Sequence, residues 1–290
     1  MFFGVSTALI TPFNKGKIDE SAFVKFLEWQ ISEKVHGIVP CGTTGESPTL
    51  SHQEHNDVIK LAVDVADKRV KVIAGTGSNS TSEAVDMTKY AESVGADAAL
   101  LATPYYNKPN QEGLYEHYKV VHDATKIPLI IYNIPGRSVV NMSLETMKEL
   151  AKLPRVAGVK DATGDLSLPG RVLREIGEDF CQISGEDATA LSFNVSGGKG
   201  CISVASNVVP GLCAKMQDCF LQGDFNTAIE IQNKLVKLNE VLFCQTSPMP
   251  VKYAVSLLGY CNGELRLPLV ELDNNYKKQV SEAMQELGLI

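Results

Sequence analysis

Short apolar runs alternate with longer amphipathic segments along much of the chain. Eight of these runs have the length of strands, and they lie at residues 5–10, 37–40, 70–74, 98–102, 129–132, 156–160, 181–184 and 200–204. The runs are mostly apolar and do not alternate between apolar and polar positions. This pattern is typical of parallel strands that are covered on both faces.

The amphipathic segments between these runs carry apolar residues at three- and four-residue steps, which predicts helices. The clearest of them lie at residues 21–34, 52–68, 81–94, 111–124 and 143–152. A repeated strand and helix unit predicts an α/β fold, either a closed barrel or a doubly wound sheet. Eight evenly spaced units favour a (β/α)8 TIM barrel, and 290 residues are enough to form one.

Helical patterns continue from about residue 208 to residue 287, which is more than the one helix needed to complete a barrel. We therefore predict a catalytic barrel at residues 1–224. Residues 225–290 are predicted to form a C-terminal helical region packed on it.

Composition and charge argue against several classes of partner. The net charge is -7 and the pI is about 5.3, and the chain has no basic run that could follow a nucleic acid backbone. No apolar run approaches the roughly 20 residues of a membrane span, and the N-terminus lacks a basic leader. The seven cysteines form no CxxC pair, so we predict free thiols, no metal site and a cytoplasmic location.

Polar residues follow the predicted strands, where a barrel of this class builds its active site. Lys160 ends the sixth of the eight runs, and burial there would expose the neutral amine that attacks a ketone. The alternatives are a lysine that extends from the barrel rim or one paired with Asp161. Lys108 and Lys199 also lie near strand ends, so position alone leaves the nucleophile open.

Several other strand-end residues could complete a site for a keto acid. Tyr132 and Thr43 each carry a hydroxyl that can donate and accept a proton, although such residues are more often core packing and turn residues. The turn at residues 42–45 offers backbone N–H groups for a small carboxylate. Arg137 could bind a second carboxylate through two hydrogen bonds, unless it is an ordinary surface arginine. None of these groups requires a metal or redox cofactor.

Five motifs carry a resemblance to a known family. They are GTTGES at 42–47, TPYYNKP at 103–109, YNIPGR at 132–137, GVKDATGDL at 158–166 and SGEDA at 184–188. Together they resemble the N-acetylneuraminate lyase and dihydrodipicolinate synthase superfamily. The resemblance covers nearly the whole chain, as far as RLPL at 266–269. It implies a TIM barrel and a lyase that works through a lysine imine without a cofactor.

The resemblance also implies a role for each matching residue. Lys160 would form the pyruvate imine, and Tyr132 and Thr43 would belong to a proton relay. Tyr106 would complete that relay from a neighbouring subunit, across a dimer interface. Thr44 would hold the pyruvate carboxylate.

The second substrate implied by the resemblance is L-aspartate 4-semialdehyde, whose carboxylate Arg137 would guide. Gly185 and the carbonyl of Ile202 would line the pocket. Arg137 and the GTTG turn favour the synthase branch of the superfamily over the sialic acid lyases. The chain departs from the usual synthase pattern where Ser138 and Val139 replace Thr-Gly.

Two more departures from the synthase pattern are Asp161, where Glu is common, and Glu186, where Asp is common. The implied product is 4-hydroxy-tetrahydrodipicolinate, in lysine and diaminopimelate biosynthesis, made by a homotetramer of two tight dimers. One alternative is a pyruvate-dependent aldolase that acts on a sugar acid. Another is a noncatalytic barrel that binds amino acids.

A second polar cluster matches the positions that bind the feedback inhibitor L-lysine in sensitive members of the family. Its residues are Ser47, His52, His55, Asn79, Glu83 and Tyr105. An acidic side chain suits the ligand's α-ammonium, and amide and phenol groups suit its carboxylate. Without the resemblance, these would be ordinary solvated residues.

Overall fold

The computed structural model describes residues 2–290, and it confirms the predicted TIM barrel. Eight parallel strands form a closed barrel in which strand order follows the chain. The strands are β1 Gly4–Ala8, β2 Gly37–Val39, β3 Lys71–Gly75, β4 Ala98–Ala102, β5 Leu129–Asn133, β6 Val156–Asp161, β7 Cys181–Ser184 and β8 Gly200–Ser203. Each begins and ends within two residues of its predicted bounds.

Thirteen α-helices are present within residues 2–290. They are α1 Glu20–Ser32, α2 His52–Ala66, α3 Thr81–Val94, α4 Gln111–Ala124, α5 Pro135–Ser138, α6 Leu144–Ala151, α7 Leu168–Glu175, α8 Ala190–Val195, α9 Pro210–Leu221, α10 Phe225–Lys234, α11 Val236–Val241, α12 Met249–Leu257 and α13 Asn274–Glu286. The bounds of α3 and α4 match their predictions, and the last four helices confirm a helical C-terminal region. The division of the chain at residue 224 stays a prediction.

The chain divides into two compact units. We call residues 2–3 and Val72–Ile202 the central unit, which holds most of β3 and runs through β8. We call Gly4–Lys71 and Ser203–Ile290 the terminal unit, which contains β1, β2 and the C-terminal helices.

Alternation along β5 and β6 sets which side chains face the interior of the barrel. Ile131 pairs with Val159, and both are buried in an apolar cluster with residues of α4 and α6. Successive side chains of a strand point to opposite faces. Tyr132 and Lys160, which are the next pair in the same register, therefore point away from this helical layer.

In the terminal unit, Asn207 attaches the chain after the barrel to β1. Its side-chain amide donates to the carbonyl of Ala8 at 2.7 Å, and its side-chain oxygen accepts from the N–H of Ile10 at 3.1 Å. Asn207 is fully buried, so both bonds are shielded from water. The segment that follows β8 is thus hydrogen-bonded to the end of β1 and to the residues after it.

Some elements were not predicted from the sequence. Phe13–Asn14 and Lys17–Ile18 form a two-stranded antiparallel hairpin, and α7 and α8 are short helices. Strands of two residues are too short to show periodicity, and the Pro169-Gly170 pair inside α7 is a common turn signal.

Residues 2–290 contain no helix that is both long and apolar enough to cross a bilayer. They also contain no grouping of His, Cys, Asp and Glu that could hold a metal ion.

Gly158 provides a test of how tightly β6 and β7 pack. A Cβ atom at this position would lie 2.0 Å from the carbonyl oxygen of Cys181, its register partner. Gly158→Ala must therefore displace the strand, and we expect the free energy of unfolding to fall by about 1–3 kcal/mol. Urea unfolding measures this change. Gly170→Ala is the control, because the nearest atom to its Cβ would lie 4.0 Å away. Equal unfolding midpoints for the two variants would contradict the packing argument.

Candidate active site

Lys160 lies near the carboxyl end of β6, in the central unit, and is only 6% exposed. Its Nζ atom lies 4.1 Å from the ring centroid of Tyr132, its register partner on β5. The face of an aromatic ring attracts a cation at this distance. Two residues predicted to share a site are therefore brought together by strand register.

Gly185 approaches the same lysine from the loop that follows β7. A Cβ atom there would lie 3.1 Å from the Cε atom of Lys160 and 2.9 Å from the Cβ atom of Ala162. The N–H of Gly185 also donates to the carbonyl of Asp161 at 2.6 Å. The absence of a side chain thus leaves the space that the lysine occupies. Ile202, the other predicted lining residue, is buried in β8.

Carboxyl groups flank Lys160 in the chain and in space. Burial raises the pKa of Asp161, although its carboxylate accepts hydrogen bonds from the N–H of Thr163 at 2.9 Å and the hydroxyl of Thr163 at 3.1 Å. Burial also raises the pKa of Glu186, and so does the charge of Asp187, while the charge of Lys160 lowers it. Glu186 is thus a half-buried acid that senses the lysine electrostatically.

Ser138 and Val139 form the turn beside Arg137. Arg137 is exposed near the end of α5. Ser138 is buried, and its hydroxyl accepts from the hydroxyl of Thr103 at 3.0 Å. Val139 adopts the left-handed conformation, at φ +64°, that a glycine would take without strain. A β-branched residue there costs about 1–2 kcal/mol, so this turn carries backbone strain.

Thr43 and Thr44 belong to a tight turn in the terminal unit. The N–H of Gly45 donates to the carbonyl of Gly42 at 3.1 Å, and the N–H of Glu46 donates to the carbonyl of Thr43 at 3.2 Å. Thr44 is buried, whereas Thr43 is half-buried. The turn therefore presents two hydroxyls from a hydrogen-bonded backbone.

Three residues of the predicted lysine pocket lie together in the central unit. The side-chain amide of Asn79 donates to the carbonyl of Tyr105 at 3.2 Å, and the carboxylate of Glu83 accepts from Ser78 at 2.7 Å. The adjoining Tyr106 is 89% exposed and has a φ of +70°. Tyrosine is on average partly buried, so Tyr106 is unusually exposed for its residue type.

The remaining three residues of that pocket lie in the terminal unit. Ser47 begins a short 3-10 turn, Ser47–Thr49, and His52 is exposed at the start of α2. His55 is only 3% exposed, so its ring is buried and does not share the exposure of His52. The two histidines therefore lie on the same helix, but only His52 is accessible to a ligand from solvent.

Sequence reasoning missed a charged pair beside the Thr43 turn. Glu46 and Lys252 form an ion pair in which the side chains are 1% and 0% exposed. The available signal was a lysine inside the apolar helix Met249–Leu257. A buried lysine there needs a partner of opposite charge, which the sequence could not name.

Known proteins are similar to this chain over nearly its full length. Residues 1–287 match the model of the "Dihydrodipicolinate synthetase family". The 4-hydroxy-tetrahydrodipicolinate synthase of Rhodospirillum centenum is 59% identical over 290 residues, and that of Parvibaculum lavamentivorans is 56% identical over 290 residues. Both alignments cover 100% of each chain.

Solved structures share the fold over the whole chain. The dihydrodipicolinate synthase from Acinetobacter baumannii, complexed with pyruvate, is 42% identical with a TM-score of 0.98, and 100% of each chain is covered. The enzyme from Cyanidioschyzon merolae with lysine bound is 36% identical with a TM-score of 0.96, covering 100% of this chain and 99% of that one.

A third structure concerns assembly. It is described as a monomeric dihydrodipicolinate synthase variant and is 37% identical, with a TM-score of 0.97 and coverage of 100% of this chain and 98% of that one. The family match and the relatives each extend over essentially the full chain. This chain belongs to the dihydrodipicolinate synthetase family.

Proposed function

We propose that the chain condenses pyruvate with L-aspartate 4-semialdehyde to give 4-hydroxy-tetrahydrodipicolinate, in lysine and diaminopimelate biosynthesis. The observation that carries this proposal is the buried amine of Lys160 beside the ring of Tyr132, at a strand end of the barrel. The full-length relatives that bear the synthase name support it. They favour it over a sugar-acid aldolase and over a noncatalytic barrel.

The first half of the reaction converts pyruvate into a nucleophile. The Nζ atom of Lys160 attacks the ketone carbon, and the resulting carbinolamine loses water to form an imine. The imine is a stronger electron sink than the ketone, so C3 loses a proton and an enamine forms. Because the imine itself accepts these electrons, the proposed chemistry needs no metal or organic cofactor.

The second half joins the two substrates. The enamine carbon attacks the aldehyde, and the amine of the second substrate then displaces Lys160 from the imine, which closes the ring and frees the enzyme. Tyr132 and Thr43 would move protons in these steps, together with Tyr106 of the partner subunit. Their hydroxyls can donate and accept hydrogen bonds in turn.

Two carboxylates have to be bound during this cycle. Thr44 offers a buried hydroxyl and lies in a turn with ordered N–H groups, which suits the carboxylate of pyruvate. Arg137 is exposed beside a rigid turn, which suits two-point capture of the carboxylate of the semialdehyde. Gly185 and the carbonyl of Ile202 would line the substrate pocket.

We also propose a homotetramer built from two dimers. Tyr106 supports the dimer, because an 89% exposed ring in a left-handed loop residue gains burial from a partner. Leu166, Leu173 and Val195 are exposed apolar residues of the central unit that could support the second contact. A cytoplasmic location is supported by the free cysteines.

The proposed nucleophile is tested by trapping. Pyruvate with borohydride should add one reduced adduct to Lys160, because its amine lies buried beside the Tyr132 ring at a strand end of the barrel. Lys160→Ala should lower kcat by about 10³-fold or more, and Lys160→Arg should not restore it, because guanidinium stays protonated. Mass spectrometry of peptides identifies the labelled residue. Lys108→Ala is the matched control and should keep its activity. An adduct on Lys108 or Lys199 would overturn the assignment.

The contribution of Tyr106 across an interface is tested by mixing two inactive variants. Tyr106→Phe and Lys160→Ala homodimers should each be nearly inactive. Each mixed dimer should regain one intact site, so an equal mixture should recover about a quarter of the wild-type activity. Subunit exchange followed by a coupled assay measures this recovery. If purified mixed dimers stay inactive, the tyrosine acts within its own chain.

Regulation by L-lysine follows from the second polar cluster. Asn79, Glu83 and Tyr105 lie close together in the central unit, and Glu83 can neutralise the α-ammonium of an amino acid. A relative of the same family has been solved with lysine bound. We therefore propose that lysine binds this cluster and lowers turnover.

The test is an inhibition curve at fixed pyruvate. Millimolar lysine should lower the turnover of the wild-type enzyme, and Glu83→Ala should relieve the inhibition by about 10-fold in lysine concentration while most uninhibited activity remains. Asp86→Ala, an exposed acid on the same helix, is the control and should stay sensitive. Calorimetry that detects no lysine binding, with turnover unchanged, would reject this regulatory site.

A further inference from the structure

Two cations contact the ring of Phe13 in the terminal unit, and each of them pairs with a carboxylate. The four charged residues of this cluster are Glu46, Glu54, Lys252 and Arg266. The ammonium of Lys252 donates to one carboxylate oxygen of Glu46, and the backbone N–H of Arg266 donates to the other at 3.1 Å. Lys252 comes from α12, whereas Glu46 comes from the turn that carries Thr44. Both oxygens of this carboxylate are thus bound by the C-terminal region.

The ring of Phe13 contacts both cations of this cluster. The Nζ atom of Lys252 is 4.0 Å from the ring centroid, and the guanidinium carbon of Arg266 is 4.3 Å from it. Arg266 also donates to the carbonyl of Thr49 at 2.8 Å and to the carboxylate of Glu54 at 2.8 Å. Arg266, which binds the Glu46 carboxylate through its backbone N–H, is therefore itself held by several contacts.

Burial of this pair is costly. Burial lowers the pKa of Lys252, and the charge of Glu46 acts in the opposite direction. A buried ion pair is often no more stabilising than two apolar residues of similar volume. Its advantage over such residues is directional, because it fixes the position and orientation of both side chains.

The backbone of Glu46 is hydrogen-bonded to the turn before it. Its backbone is left-handed, with a φ of +54° and a ψ of +35°, and its N–H donates to the carbonyl of Thr43 at 3.2 Å. Its own carbonyl accepts from the N–H and the hydroxyl of Thr49, each at 3.0 Å. A displaced carboxylate would therefore move the carbonyl of Thr43 and the residues on both sides of Glu46.

We propose that Glu46 and Lys252 are positioning residues that hold the Thr43 and Thr44 turn in the geometry that binds the pyruvate carboxylate. This inference rests on the proposed function, which gives Thr44 that ligand. It also assigns part of the C-terminal helical region a role in substrate binding. Small displacements of a binding turn lower the rate of a bimolecular step strongly.

The experiment compares two ketones that differ at one group, which is a carboxylate in pyruvate and a methyl ester in methyl pyruvate. Pyruvate and methyl pyruvate both form an imine with a lysine amine and release one water, but only pyruvate carries a carboxylate. Their rates of imine formation, trapped by borohydride and read by mass spectrometry, give a preference ratio for the carboxylate. General damage to the enzyme lowers both rates together, whereas displacement of the turn lowers the ratio.

Glu46→Gln keeps the size of the side chain but removes its charge. We expect the preference for pyruvate over methyl pyruvate to fall about 10-fold or more, with a matching rise in KM for pyruvate. The double variant Glu46→Gln with Lys252→Met removes both charges, so its thermal midpoint should exceed that of Lys252→Met alone. Its preference ratio should nevertheless stay low, because the directional contact is still missing.

Matched controls and a conservative variant complete the design. Lys152→Met with Glu149→Gln removes an exposed lysine and glutamate pair, and the preference ratio should not change. Glu46→Asp keeps the charge pair but withdraws the carboxylate by one carbon. It should fold even if the neutral variants do not, and its ratio should fall as well.

The outcomes separate the two proposals. If wild-type enzyme forms no adduct on Lys160 with pyruvate, the proposed function fails. If wild-type enzyme forms the adduct but the folded Glu46 variants keep the wild-type ratio within about twofold, the positioning role is wrong and the function stands. A lowered ratio in Glu46→Asp and in either neutral variant supports the positioning role.

Discussion

The register between β5 and β6 is the constraint on which the central part of the site depends. Ile131 and Val159 are paired and are buried against the helical layer. Because side chains alternate along a strand, the next pair, Tyr132 and Lys160, has to face the other way. A slip of one residue would place the amine in the apolar layer and a valine in the site.

Close packing around this pair leaves little freedom for the lysine. Gly158, two residues earlier, has no room for a side chain against β7, and Gly185 has none against the lysine itself. Both glycines are required by contact distances and not by unusual backbone angles. The position of the Lys160 amine is therefore a consequence of how tightly β6 and β7 approach each other.

Strained backbone is found where loops carry functional groups. Glu46, Tyr106 and Val139 all have left-handed conformations although none is a glycine. Such conformations persist only where the surroundings determine them. The Glu46 carboxylate accepts hydrogen bonds from Lys252 and Arg266, so residues of the C-terminal region bind a residue of a barrel loop.

The sequence by itself determined the strands, the main helices and the strand-end position of Lys160. These follow from local pattern, because apolar runs and three- and four-residue periodicity are properties of short segments. The hairpin Phe13–Asn14 and Lys17–Ile18 escaped because its strands are too short to repeat a pattern. The recognised motifs supplied the roles of Thr44 and Arg137, which spacing alone left open.

Only the tertiary structure decided contacts between distant parts of the chain. Glu46 and Lys252 are separated by 206 positions, and no local pattern relates them. The burial of His55 beside an exposed His52 likewise depends on what packs against α2. Periodicity reports which face of an element is apolar, but the neighbour that covers this face is set by the fold as a whole.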